Sequence, residues 1–127
     1  MPKIKIGPAW LLLGLLATGS LALADDAFIG KLANITASLN HFPSDADKAT
    51  LSEIIDSEDS SEEEASIAMA ISNMEHKVSE KDAERLADIV DDDMADPAAR
   101  ELAGILLGIN HAASDADKAK LAALAAN

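Results

Sequence analysis

The sequence predicts an all-α fold: three tandem helical hairpins, about six helices, forming a short α-solenoid or compact bundle behind a cleaved signal peptide. Three observations predict it. The chain repeats itself at a spacing of 35 residues without a gap. Its apolar residues recur at i, i+3, i+4 and i+7, which makes one helical face. No run of alternating β-branched residues competes with that pattern.

The leader comes first. Lys3 and Lys5 precede an apolar core from Ala9 to Ala17, then Thr18, Gly19 and Ser20, then Leu21-Ala22-Leu23-Ala24. The small residues Ala22 and Ala24 suit the −3 and −1 pockets of a signal peptidase. A membrane-spanning helix needs roughly 20 apolar residues, and this core stops short of that at Gly and Ser. Residues 1–24 are therefore expected to be removed, leaving a single domain over 25–127 with no membrane anchor. With no cysteine in the chain, a lipid-modified junction is excluded. The short leader with two lysines points to a bacterial periplasm, or to full secretion.

Loss of the leader sharpens the charge. Lys3 and Lys5 go with it, so the 10 basic residues fall to 8 against 23 acids, a net −15. Such a balance excludes ordinary nucleic-acid binding, because phosphates repel carboxylates. The absence of cysteine also excludes disulfides and thiolate metal sites. Aromatic residues make up 2% of the chain, which argues against a large aromatic-lined pocket.

The repeat is read from fixed landmarks. Asn40-His41 and Ser44-Asp45-Ala46-Asp47-Lys48-Ala49 return as Asn110-His111 and Ser114-Asp115-Ala116-Asp117-Lys118-Ala119. Halfway between lie His76, Ser79 and Asp82. Leu51, Leu86 and Leu121 keep step, as do Leu32, Ile67 and Leu102. The units run over about 26–60, 61–95 and 96–127. The period resembles that of tetratricopeptide and pentatricopeptide arrays, which are also helical hairpins. The resemblance is confined to period and architecture: the Trp and Tyr landmarks of the tetratricopeptide pattern are absent, and the RNA binding of pentatricopeptide arrays does not suit so acidic a chain.

Within each unit, the first helix carries its apolar face at positions such as Ile67, Ala70, Ile71 and Met74. The second opens on Ser44, Ser79 or Ser114 as N-cap, with Asp47, Asp82 or Asp117 three residues on as the acidic partner of a capping box. Ser61 before three glutamates, and Asp96 before Pro97, cap the first helices of units two and three.

Candidate sites follow from the same register. His41, His76 and His111 share one position, which suggests imidazole ligation of a metal. Geometry argues against one shared ion, because neighbouring repeats place equivalent atoms on the order of 10 Å apart, whereas zinc needs its ligands at about 2 Å. The expectation is therefore that the histidines end the first helices and interact with their C-terminal dipoles, with no metal site and no cofactor. The Ser/Asp motifs read as caps, and a hydrolase would need one unique constellation.

The function expected is a non-catalytic protein-binding or adaptor module, with a protein partner or self-association. Two surfaces carry it. One is an acidic edge at the repeat junctions, with Asp91, Asp92 and Asp93 facing a basic partner. The other is an uncapped apolar C-terminal end, with Leu107, Leu121 and Leu124 as anchors and Gly104 and Gly108 as a notch for close helix approach. The alternative is a periplasmic divalent-cation-binding protein using the acidic junction clusters.

Overall fold

A computed structural model describes residues 28–126. The signal peptide expected at 1–24 lies outside the described residues. The described chain is all-helical, in the order α1 (Ile29–Ala37), α2 (Asp45–Asp56), α3 (Glu62–Ser72), α4 (Glu80–Asp91), α5 (Pro97–Gly108) and α6 (Asp115–Ala126). No strand occurs among the described residues, and none of their helices is long and apolar enough to cross a membrane.

The helix starts follow the cap residues. Ser44, Ser79 and Ser114 each accept a backbone N–H three residues on, from Asp47, Asp82 and Asp117. Asp96 accepts from Ala98, with Pro97 at the first helical position. A full reciprocal box forms at α3, where Ser61 Oγ accepts from Glu64 N and Glu64 Oε1 accepts from Ser61 N. Aspartate is one methylene shorter than glutamate. The Asp82 carboxylate accepts instead from Ser79 Oγ at 3.0 Å and from Asn73 Nδ2 at 3.2 Å, which pins α4 to the end of α3.

Packing follows a cyclic order. α2 lies on α3, α4 on α5, and α6 on α1. The helices α1, α3 and α5 also touch one another, so they form the inside and the other three lie outside. Leu32, Ile67 and Leu102 are fully buried on the inner helices, and Leu51, Leu86 and Leu121 are fully buried on the outer ones. Burying a leucine side chain of this kind contributes roughly 2 kcal/mol.

That order corrects the expectation of an open apolar end. Leu121 and Leu124 are covered by the rest of the chain, at 0% and 6% exposure, while Leu107 keeps 38%. The notch at Gly104 and Gly108 is not a close-packed seam either: a side chain at Gly104 would meet only Val90, at 4.0 Å, and Gly108 faces open space. The close approach is at Gly30 of α1, where a β-carbon would lie 3.3 Å from the Ala125 carbonyl oxygen of α6. Glycine at that point lets the last helix seat against the first.

Candidate functional site

The loops α1–α2, α3–α4 and α5–α6 each carry one histidine, and the packing of the helices brings the three together. His41, His76 and His111 have backbone φ of 73°, 70° and 77°, in the left-handed region. They are the non-glycine residues with positive φ among those described, and no described glycine has one. The histidines therefore lie past the helix ends, in tight turns, and do not cap the helices. Ser38, Asn73 and Ile109 occupy the C-cap positions.

The left-handed turn aims each histidine's peptide at its neighbour. His41 N donates to His111 O, His76 N to His41 O, and His111 N to His76 O, each at 2.6 Å. Three residues 35 positions apart thus close a ring of backbone hydrogen bonds. Pro43, Val78 and Ala113, two residues beyond each histidine, are buried and anchor the loops from below.

The rings project from this closed backbone. Their centroids form a near-equilateral triangle with sides of 5.0, 4.9 and 4.8 Å. One nitrogen from each ring lies within 4.8 Å of the others. Three nitrogens around a tetrahedral ion at about 2.0–2.1 Å sit roughly 3.3 Å apart, so ligation requires the rings to draw together from the 4.8 Å span seen here. His76 and His111 are exposed and His41 half-buried, so the outer side of the triad faces solvent.

One ring carries a visible orientation. His41 Nδ1 lies 2.8 Å from Asn40 Oδ1. Ligating histidines are typically held in this way by a second polar group. The residues before the other histidines are Glu75 and Asn110, whose side chains also carry acceptor oxygens.

These distances overturn the argument from repeat spacing. The helices α1, α3 and α5 touch one another, so the loops that follow them bring the three histidines together. The signal was present in the sequence as histidine at one register position in every unit.

The acidic residues singled out from the sequence lie elsewhere. Asp91 ends α4, and Asp92 and Asp93 lie in the loop to α5, at the end of α4 away from its histidine loop. All three are exposed. Asp92 Oδ1 accepts from Met94 N, and Asp93 lies 3.7 Å from Arg100, whose guanidinium also donates to Val90 O. Met94 in the same loop is 91% exposed. Among the described residues, the histidines are the group whose potential ligand atoms converge, and the acidic clusters are not. No known protein family, characterised protein or solved structure matches this chain.

Proposed function

We propose that this is an exported, periplasmic or secreted protein that binds a first-row transition-metal ion through His41, His76 and His111, without catalysing a reaction. In this reading the three units, spaced 35 residues apart, close into a ring about a pseudo-threefold axis, and the ion sits on that axis. The observation that carries it is the convergence of three imidazole nitrogens within 4.8 Å on a hydrogen-bonded backbone ring. Neutral imidazoles without thiolate suit Zn(II), Cu(II) or Ni(II), while calcium and magnesium prefer oxygen ligands. The strong negative charge of the chain favours cation approach from solution.

Equilibrium dialysis against each of these ions is the test. One ion per chain is expected, with affinity reduced at least tenfold by His76→Ala, His41→Ala or His111→Ala. Equal uptake by the triple variant would sink the assignment.

A second reading rests on the loop between α4 and α5. Exposed Asp91, Asp92 and Asp93 beside the protruding Met94 suit docking of a basic protein partner, with the chain acting as an adaptor. Replacing the three aspartates by asparagine should leave the helical spectrum intact and weaken a crosslinked envelope partner. Unchanged crosslinking would remove this loop from consideration.

A further inference from the structure

The three sectors around the histidine triad are not alike. The residue after each histidine is Phe42, Lys77 or Ala112. The turn forms with any of them, so an aromatic ring is not required by the backbone. Phe42 is nevertheless 58% exposed, beside the triad. It borders a cleft of about 500 Å³ between the start of α2 and the α3–α4 loop, whose walls include Lys48, Asn73, Glu75 and His76. Clefts that hold small molecules span about 300–1,000 Å³. The Lys48 ammonium lies over the Phe42 ring, 6.0 Å from its centroid, and both side chains border the same cleft.

The charges select the occupant. Three neutral imidazoles leave a bound divalent ion with its full charge and with an open side toward solvent. That charge and Lys48 both attract an anion. Glu75 on the same cleft opposes a second negative charge. Phe42, 58% exposed, offers apolar surface to a flat or apolar body.

We propose that the metal-loaded triad takes a small organic monocarboxylate with an apolar or aromatic body, its carboxylate on the ion and near Lys48 and its body against Phe42. This rests on the metal-binding reading above, and it assigns that cleft as the ligand subsite.

The test uses the purified protein loaded with Co(II), whose visible absorption reports changes in coordination. Acetate and benzoate are titrated separately. Both should perturb the cobalt bands, with benzoate binding roughly three- to tenfold tighter, as expected for one aromatic contact. Phe42→Ala should bring the two affinities together while cobalt loading is unchanged, since Phe42 is exposed and does not hold the fold. Lys48→Gln should weaken both carboxylates severalfold. Cobalt bands that form but ignore both anions, or a benzoate preference that survives Phe42→Ala, overturn the subsite and leave the metal site standing. Failure of cobalt to bind overturns both.

Discussion

Leu121→Ala tests the closure on which the histidine triad depends. Leu121 is fully buried on α6, the helix that packs on α1. Removing its three terminal carbons leaves a cavity that the surrounding helices fill only in part. Leu→Ala changes at such sites cost about 2–5 kcal/mol, against a total stability of roughly 5–15 kcal/mol for a domain. We expect a loss of about 3 kcal/mol, or a fall in Tm of roughly 12–20 °C for a chain of this size. Leu51→Ala and Leu86→Ala, at the same register and equally buried, should lose comparable amounts. The readout is urea unfolding followed by circular dichroism at 222 nm, because residues 28–126 contain no Trp or Tyr. Hydrogen exchange adds a local test. The His41 amide donates to His111, across the contact that α6 closes, while the His76 amide donates to His41. Leu121→Ala should therefore speed exchange at His41 more than at His76. A loss under about 1 kcal/mol, far below that of a buried leucine, would mean that α6 is not seated on α1, and the argument for converging histidines would fall with it.

Zn(II) should raise the melting midpoint, because only the folded chain brings the histidines together. At 100 times Kd the stabilisation is about 2.7 kcal/mol, or roughly 10–20 °C. His76→Ala should abolish most of that rise, and a retained rise would place the ion elsewhere. Glu64→Gln probes the join between α1 and α3. Buried Glu64 accepts from Ser61 N through Oε1 and from Phe28 N through Oε2, both at 2.9 Å. Glutamine turns one acceptor into a donor facing an N–H, so chemical denaturation should show a loss of about 1–3 kcal/mol; a neutral result would show that the two bonds are dispensable.

The local architecture was legible in the sequence because it is written in short-range chemistry. Ser44, Ser79 and Ser114 begin helices where the expectation put them, and the i, i+3, i+4 stripes of α3 and α5 are the buried faces. Curvature was less legible. A 35-residue period fixes what each unit is but not how one unit is rotated against the next. Leu121 and Leu124, taken from the local pattern of α6, carry no sign of which helix covers them. The first helix is equally apolar, with Ile29, Leu32 and Ala33 buried, and Gly30 offers a backbone approach. The apolar faces of α1 and α6 cover each other, and that pairing accompanies the convergence of the histidines. Asp91, Asp92 and Asp93 remained an edge because nothing in their loop draws carboxylates together.

The left-handed turns give the strongest reason to regard the histidines as more than turn formers. A residue with a β-carbon loses roughly 1–2 kcal/mol in this conformation, and glycine is the usual solution. Here histidine stands in all three turns. If the imidazoles earned their place by packing on one another at 4.8–5.0 Å, replacing His76 by glycine in metal-free protein would lose that packing, about 0.5–1.5 kcal/mol per aromatic pair. If they are there to ligate, glycine relieves the backbone while raising chain entropy in the unfolded state by about 0.4–1 kcal/mol. The two effects nearly cancel, leaving the apo protein within about 1 kcal/mol of the parent. His76→Ala keeps the backbone penalty, so the glycine variant should be the more stable of the two by roughly 1 kcal/mol. Denaturant melts of both variants in chelator, then with Zn(II), separate the cases. A glycine variant that folds like the parent and no longer responds to zinc identifies the triad as a binding site. One that loses about 2–3 kcal/mol in chelator, the upper end for two ring contacts net of backbone relief, would assign the imidazoles to the fold itself.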